Sequence, residues 1–209
     1  MRICLSAFVF LIAALAGVHA APIGPDVAVM EIQFGKEKKT QQVVIGLYDN
    51  AAPLTVANFK ELAGKKFYNG LRFHRVFPSS LVQTGDPKTR WIGLPLGLGD
   101  SDRSGTGGPG YTIPAEIGRT HVRGTVAMSR LPDTINPAKA SNGSQFYITL
   151  TPTPKLDGKY TVFGEVLEGL DVLDAISNER TDSNDFPLAK IVIKSITIQP
   201  RFAEPASPQ

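Results

Sequence analysis

Two short segments of the chain carry polar side chains whose types and spacing could do chemistry together. The first covers residues 73–86 and reads FHRVFPSSLVQTGD, and the second covers residues 142–149 and reads NGSQFYIT. Arg75 contributes a guanidinium that is always charged and carries several N–H donors in a rigid fork. Such a group can stabilise an electron pair that becomes localised in a transition state. An isolated arginine on a strand is more often an ordinary exposed side chain, so a catalytic interpretation of Arg75 depends on the motif around it.

Together and in this order, the two segments resemble the active-site strands of cyclophilin-type peptidyl-prolyl cis/trans isomerases. Three further stretches extend the resemblance, namely GTGGPGY at 105–111, RGTVAM at 123–128 and LDGKYTVFG at 156–164. The similarity covers roughly residues 27 to 199. It implies an enzyme that accelerates rotation about X–Pro peptide bonds and assists protein folding.

The implied reaction is slow without a catalyst because the peptide nitrogen lone pair is delocalised, which gives a barrier of about 18–20 kcal/mol. No covalent bond breaks, so the resemblance implies no cofactor, no metal and no nucleophile. The enzyme must hold the proline ring in an apolar slot and stabilise the twisted amide, whose nitrogen has become basic. The resemblance assigns the second task to Arg75 as catalytic donor, with Gln83 beside it to orient the guanidinium.

The resemblance also implies a pocket for the proline and its neighbours. The substrate-binding residues expected from it are Leu81, Gln145, Tyr147, Leu156, Tyr160, Ser80, Ser129 and Arg130. Gln145 would bind the substrate backbone, and Tyr147 would place its ring under the proline. Leu81 and Leu156 would line the pocket.

Several of these positions depart from the family pattern. Ser80 stands where the family usually has phenylalanine, so one wall of the slot is expected to be missing or wet. Lys155 replaces the tryptophan that grips cyclosporin in well-known eukaryotic members, so cyclosporin binding is expected to be weak at best. Tyr160 replaces the usual histidine, and Ser129-Arg130 replaces a small residue followed by asparagine.

Side-chain alternation predicts which residues of the first segment share a face. In an extended strand, Phe73, Arg75 and Phe77 would point to one side. His74 would point to the other, and it is predicted to be a buried or hydrogen-bonded structural histidine. His121 has no second candidate ligand at metal spacing and is predicted to be a surface residue.

Two other functions fit parts of the sequence. The first is a chaperone or scaffold module of the same fold, which would bind proline-containing segments with weak or no isomerase activity. Ser80 favours this alternative because it leaves the slot incomplete. The second is a hydrolase built on His74, Asp86 and Ser144, which is disfavoured because Ser144 lacks the G-x-S-x-G context of a nucleophile elbow.

The first twenty residues have the pattern of a secretory signal peptide. Arg2 precedes an apolar stretch at 5–18, and Val18-His19-Ala20 places small residues at −3 and −1 of a cleavage point. The stretch is shorter than the roughly 18–20 residues that a membrane span needs. Cys4, the one cysteine, lies inside this leader. We expect export to a bacterial periplasm or the outside, with a eukaryotic secretory compartment as the alternative, and no membrane attachment after cleavage.

The rest of the chain predicts one mainly β domain at 27–200, preceded by a linker at 21–26 and followed by a flexible tail at 201–209. Alternation and turn signals predict strands at 27–34, 42–47, 71–77, 81–85, 124–128, 145–150, 162–166 and 191–198. Helical spacing predicts two helices, at 53–64 and 170–176. The resemblance sharpens this to a closed antiparallel eight-stranded β-barrel capped by two α-helices.

Charge and composition limit the partners. The formal net charge is +3 with both signs interspersed, so a nucleic-acid partner is not expected. The expected partners are proline-containing segments of client proteins, and the protein is expected to be a monomer. Residues 88–110 form a long glycine-rich loop, and a loop of this length is usually functional.

Overall fold

The computed structural model describes residues 22–35, 37, 39–92 and 104–201. The elements in chain order are β1 (Asp26–Phe34), β2 (Gln41–Leu47), α1 (Pro53–Gly64), β3 (Arg75–Phe77), β4 (Leu81–Thr84), β5 (Thr112–Ile113), β6 (Thr125–Met128), β7 (Ser141–Asn142), β8 (Phe146–Thr149), β9 (Val162–Glu168), α2 (Leu170–Ser177) and β10 (Ile191–Pro200). Within these residues, no helix is both long enough and apolar enough to cross a membrane. The predicted signal peptide, residues 93–103 of the glycine-rich loop and residues 202–209 of the tail lie outside them.

Eight of the strands form one antiparallel sheet in the order β10-β1-β2-β9-β6-β8-β4-β3. The sheet curls into a half-barrel that is open, so the prediction of a closed barrel is wrong. Its edge strands β3 and β10 do not form a ladder with each other. The residues before β3 reach β10 instead through one bridge, between Arg72 and Val192, and a few backbone hydrogen bonds.

The inner face of the sheet holds the main apolar core. Alternate residues of β1, such as Ala28, Met30 and Ile32, are completely buried there. Phe59 of α1 adds its ring to a cluster of aromatic side chains, with ring centres 5.7 Å from Phe146 and 5.2 Å from Phe163. The predicted assignment of Phe146 to the core is therefore confirmed.

The two helices pack on different parts of the sheet, α1 against β10 and α2 against β2, β3 and β4. Helix α1 begins at Pro53, where the missing N–H costs no hydrogen bond. Its next two backbone N–H groups, of Leu54 and Thr55, donate to the two oxygens of Glu116 at 2.9 and 2.8 Å. A carboxylate distant in sequence thus caps the helix, and no local motif could have indicated it.

The outer face of the sheet positions a row of functional side chains. Cross-strand partners share a face, and the register pairs Arg75 with Gln83, Gln83 with Tyr147, and Tyr147 with Ala127. The neighbouring row, which includes Val76 and its partners, points into the core. Three neighbouring short strands, β3, β4 and β8, therefore bring Arg75, Gln83 and Tyr147 onto one surface.

Candidate active site

The outer face carries a groove beside this row. Its cavity has a volume of about 730 Å³, and the predicted site residues that line it are Arg75, Gln83, Ser129, Arg130 and Tyr160. A smaller cavity of about 350 Å³ shares Ser129 and Arg130 and adds Gln145. The fold therefore brings six of the predicted residues together around two adjoining cavities.

Arg75 stands in the groove with 51% of its side chain exposed. Its Nε lies 3.7 Å from Asp185 Oδ2, and its Cζ lies 4.6 Å from the centre of the Phe77 ring. Asp185 is held in place because its carbonyl accepts a hydrogen bond from the Val76 N–H at 2.9 Å. These contacts orient the guanidinium. The sequence did not indicate a role for Asp185, because this residue is remote from Arg75 in the chain and belongs to no motif.

Gln83 and Gln145 form a buried hydrogen-bonded pair below the groove. Gln83 Nε2 donates to Gln145 Oε1 at 2.9 Å and to Ser129 Oγ at 3.3 Å. Gln145 Nε2 in turn donates to the Gly107 carbonyl at 2.7 Å. Among the described residues no hydrogen bond joins Gln83 to Arg75, so the orienting contact expected from Gln83 is absent. The amide of Gln83 is engaged by Gln145 instead.

Asp86 holds the glycine-rich wall of the groove. Its buried carboxylate accepts hydrogen bonds from the backbone N–H groups of Gly105 at 2.6 Å and Gly107 at 3.1 Å. It also accepts one from the Lys88 N–H at 2.8 Å. A Cβ at Gly107 would lie 2.1 Å from the Asp86 carboxylate, so only glycine allows this close approach. The sequence did not indicate this contact, because Asp86 and the glycines at 105 and 107 are far apart in the chain.

The predicted proline pocket coincides with a small apolar cluster that is separate from the main core. Its buried members are Tyr48, Ala127, Tyr147 and Val162. Leu81, Leu156 and Tyr160 pack against it and are partly exposed. The Tyr147 and Tyr160 rings meet edge to face with their centres 5.6 Å apart. Four of the predicted substrate-binding residues thus lie together on one apolar surface.

A buried hydrogen-bonded chain holds Tyr147 from behind. His121 Nε2 lies 2.9 Å from the Tyr147 hydroxyl, and His121 Nδ1 lies 2.8 Å from Asp157 Oδ1. The hydrogen bonds from His121 lower the pKa of Asp157, while burial raises the pKa of Tyr147. The carboxylate only accepts, so His121 Nδ1 donates to Asp157, and the Tyr147 hydroxyl is the hydrogen-bond partner of Nε2. The prediction that His121 lies on the surface is wrong, because the fold buries it completely.

Arg130 forms a fixed wall of the groove. Its side chain is 5% exposed and pairs with Asp133 at 2.5 Å. Its Nε donates to the Lys159 carbonyl at 2.7 Å, and its Cζ lies 4.8 Å from the centre of the Tyr160 ring. The Arg130 guanidinium is therefore held against the Tyr160 ring. Together the two side chains form the wall between the polar groove and the apolar pocket.

Ser80 lies in the turn between β3 and β4 and lines neither cavity. The turn is marked by Ser79 at φ +55°, and the Ser80 N–H donates to the Phe77 carbonyl at 3.0 Å. Phe77 is the cross-strand partner of Leu81 and carries the one aromatic ring of these two strands. An aromatic side chain is thus present at this edge of the site, although it comes from residue 77 instead of residue 80.

The structure assigns scaffold roles to the residues of the hydrolase alternative. His74 is buried as predicted, but it lines the groove together with Arg75 and Gln83, so the prediction that it points away from Arg75 is wrong. Burial lowers the pKa of His74 to about 4. Ser144 is buried and donates to the Gly85 carbonyl at 2.8 Å. The predicted face of Phe73 is wrong, because regular alternation begins only at Arg75 and Phe73 belongs to the main core.

Comparison with known proteins decides the family. A family model described as "Cyclophilin type peptidyl-prolyl cis-trans isomerase/CLD" matches residues 29–198. The chain belongs to the cyclophilin family of peptidyl-prolyl cis-trans isomerases. The peptidyl-prolyl cis-trans isomerase B of Bacillus subtilis is 42% identical to this cyclophilin over 135 residues, which is 63% of this chain and 80% of the relative. A peptidyl-prolyl cis-trans isomerase of Schizosaccharomyces pombe is 39% identical over 159 residues, 75% of this chain and 93% of the relative.

Solved structures agree with this assignment. A cyclophilin-type isomerase of Cryptosporidium parvum superposes with a TM-score of 0.69 at 25% identity, covering 86% of this cyclophilin and 99% of the other chain. A structure of the same parasite protein in the presence of the dipeptide Ala-Pro gives a TM-score of 0.66. Among the described residues of this cyclophilin, no cluster of three or more His, Cys, Asp or Glu side chains is arranged to hold a metal ion.

Proposed function

We propose that this cyclophilin isomerises X–Pro bonds of exported proteins and thereby assists their folding. The observation that carries the proposal is the row of Arg75, Gln83 and Tyr147, which sets a charged donor beside an apolar pocket on one face of the sheet. A proline ring needs the apolar surface, and a twisting prolyl amide needs the donor. Both requirements are met within one groove.

The proposed mechanism rests on Arg75. Within the described residues, Asp185 and the Phe77 ring contact its guanidinium, and its Nη groups have no hydrogen-bond partner. A proline seated against Leu81 and Tyr147 would present its nitrogen to these donors. When the amide twists, the nitrogen lone pair becomes localised and accepts a hydrogen bond that the planar amide accepts poorly. The interaction is therefore stronger in the transition state than in the ground state, as catalysis requires.

Gln83 and Gln145 act in this scheme as the floor of the groove. Their side chains are 8% and 1% exposed, and their mutual hydrogen bond links β4 to β8. Gln145 also tethers the Gly107 carbonyl, which ties the glycine-rich wall to the same floor. We expect the substrate backbone to lie along this floor, with Gln145 beside it. No step of the mechanism requires a metal or cofactor.

The export part of the proposal rests on the leader sequence. The apolar stretch at 5–18 and the small residues before position 21 are those of a secretory signal. A periplasmic or external location would suit a chain whose one cysteine lies in the segment to be removed. Expression of the full chain in a secreting bacterium, followed by amino-terminal sequencing of the mature product, tests this. A mature product that begins at Ala21 in the periplasmic fraction supports export, and an uncleaved cytoplasmic product contradicts it.

The activity is tested with the purified protein on an X–Pro peptide. The expected result is a catalysed rate far above the uncatalysed isomerisation, which takes roughly 10–100 s. Refolding of a protein whose slow phase is limited by proline isomerisation would be accelerated as well. Lack of acceleration in both assays, with a folded protein, would contradict the assignment of isomerase activity to this chain.

A binding module with weak turnover is the second candidate, and the position of Ser80 favours it. Residue 80 lies in a turn and adds no ring to the pocket, so the proline is less enclosed. The two candidates differ in the assay, because a binding module would protect an aggregating proline-rich client while leaving the isomerisation rate of a peptide almost unchanged.

A further inference from the structure

Another cavity lies away from the groove, where β10 meets the segment before β3. It has a volume of about 300 Å³, and every charged side chain that lines it is basic, namely Arg72, Arg90, Lys190 and Lys194. None of these four cations forms an ion pair with a carboxylate in the described part of the chain. Four positive charges around one small cavity repel each other, and a bound anion would relieve this repulsion.

The register of the sheet builds this cluster. Arg72 forms the single bridge to Val192, which places it beside the first residues of β10. Lys190 and Lys194 lie two positions before and two positions after Val192, and both line the cavity together with Arg72. The junction between the sheet edges therefore gathers the cations, and the sequence spacing alone does not reveal it.

Arg72 is the buried member of the cluster. It is 8% exposed, and its Cζ lies 4.7 Å from the centre of the Phe186 ring. A guanidinium has five N–H donors. Arg72 uses one of them, from Nη2 to the Ala189 carbonyl at 3.4 Å, and its buried Nε has no partner within the described residues. A buried cation with unused donors at a cavity wall indicates a ligand that accepts hydrogen bonds.

Arg90 is fixed over the same cavity by the main chain. Its Nη2 donates to the Phe67 carbonyl at 2.6 Å, and its Nε donates to the Asn69 carbonyl at 3.2 Å. Carbonyl groups orient the guanidinium but do not neutralise it. The cavity is therefore bordered by one buried and one tethered guanidinium, with two lysine ammonium groups on the adjacent strand.

We propose that this cavity binds a dianionic oxyanion, either inorganic phosphate or the phosphate group of a phosphomonoester. Planar guanidinium groups pair with phosphate oxygens through parallel N–H donors, and ammonium groups add charge without demanding a fixed direction. A phosphate would accept the unused donors of Arg72 and neutralise the repulsion within the cluster. This site lies apart from the residues that line the proline groove, so it is a separate binding function.

The test is a titration of the ¹⁵N-labelled protein with sodium phosphate at pH 7.5, followed by amide chemical shifts at constant ionic strength. Sodium chloride serves as the reference salt. The expected result is a saturable shift of the amides at 70–73, 90 and 190–194 that chloride does not produce. A parallel titration with phosphoserine separates the two sources of the anion, since a free-ion site binds inorganic phosphate alone and a phosphomonoester site binds both.

Two charge variants complete the test. The double variant Lys190→Gln with Lys194→Gln should weaken phosphate binding by about tenfold or more, because it removes two of the four charges that face the anion. The control Lys155→Gln removes one exposed lysine outside the cavity and should change the affinity less than about twofold. Binding in the double variant equal to that of the unaltered protein would overturn the proposal. The proposal would also be overturned if neither phosphate nor phosphoserine produced an amide shift that chloride does not produce.

Discussion

At the scale of single residues, the proposed mechanism depends on the charge of Arg75. The Arg75 guanidinium is half-exposed, contacts Asp185 on one side and lies near the Phe77 ring on another. An exposed ion pair of this kind contributes little to stability, typically about 0–1 kcal/mol. Loss of the Arg75 charge should therefore affect the proposed reaction much more than the stability of the fold, and the two effects can be measured separately in a mutant.

We predict that Arg75→Ala lowers kcat/KM for an X–Pro peptide by about 10²–10³, because it removes a donor directed at the transition state. The melting temperature should stay within a few degrees of the unaltered protein. Arg75→Lys should restore part of the rate, since it keeps the charge but loses the fork. A matched control is Arg123→Ala, which removes a similarly exposed arginine that pairs with Asp174 elsewhere on the surface. Equal losses in the two alanine variants would contradict the assignment.

A second prediction concerns the chain of Tyr147, His121 and Asp157. Tyr147→Phe keeps the ring but leaves His121 Nε2 buried without a partner, which should cost about 1–3 kcal/mol of unfolding free energy. His121→Phe should cost a similar amount because it strands the Tyr147 hydroxyl. The double variant should lose less unfolding free energy than the two single variants lose together. The difference, which is the coupling energy of the hydrogen bond, should be about 0.5–3 kcal/mol.

Urea unfolding of the four proteins measures this coupling. The substrate KM of Tyr147→Phe supplies a second readout, because His121 acts on the proline pocket only through the position of the tyrosine ring. Strict additivity of the unfolding free energies would show that the hydrogen bond contributes nothing.

At the scale of elements, the groove has one wall that is built by backbone instead of side chains. Residues 105–107 meet the outer face of the sheet through Asp86 and Gln145, which bond their N–H and carbonyl groups. Gly105 has φ +84°, a conformation that other residues adopt only under strain. The wall is therefore a glycine loop attached at two points, by Asp86 just after β4 and by Gln145 just before β8.

We predict that Asp86→Ala loosens this wall and lowers kcat/KM between about 10- and 100-fold, as expected for misplaced binding groups. The backbone N–H groups of Lys88, Gly105 and Gly107 would lose their acceptor, so hydrogen exchange at these three amides should accelerate markedly. Asp86→Asn keeps one acceptor oxygen. Its kcat/KM and its exchange rates should therefore lie between those of the unaltered protein and those of Asp86→Ala. Unchanged exchange in Asp86→Ala would mean that the loop is held by other contacts.

At the scale of the whole molecule, the buried side chain of His74 makes the stability of the fold depend on pH. Burial lowers its folded pKa to about 4, whereas an unperturbed histidine has a pKa of about 6.5. Between these values the unfolded chain binds more protons than the folded protein, so lowering the pH favours unfolding. The stability is fully present above about pH 6.5 and is lost progressively toward pH 4.

We predict that the unfolding free energy falls by about 3 kcal/mol between pH 6.5 and pH 4, since each unit of pKa difference corresponds to about 1.4 kcal/mol. Denaturant unfolding at several pH values measures it. His74→Gln should flatten the profile over this window. The lowered pKa of Asp157 acts in a separate window, because the stability it adds is lost only when the pH falls below about 4. A His74→Gln profile as steep as that of the unaltered protein would show that another group is responsible.

The sequence by itself determined most of the elements, and its resemblance to cyclophilins supplied the candidate residues Arg75 and Gln83. Period-two alternation predicted the eight strands of the main sheet, and helical spacing with Pro53 and Gly64 predicted α1 to its observed ends. Alternation predicted that Arg75 shares a face with Phe77, because alternation within a strand is a local property of the backbone. That Gln83 and Leu81 lie beside Arg75 was implied by the resemblance to cyclophilins, and the pairing of β3 with β4 bears it out. β5 and β7 were missed because two residues are too short to show any period.

The tertiary structure alone decided how distant residues meet. Asp185 reaches Arg75, Asp86 reaches the glycine loop, and His121 lies behind Tyr147, yet in no case does the spacing along the chain indicate the contact. The same holds for the open edge of the half-barrel and for the four cations gathered beside β10. Local patterns report which face a side chain takes, because backbone geometry fixes it within a few residues. Which faces meet depends on how the whole sheet curls and packs, and that is set by the sum of contacts across the core.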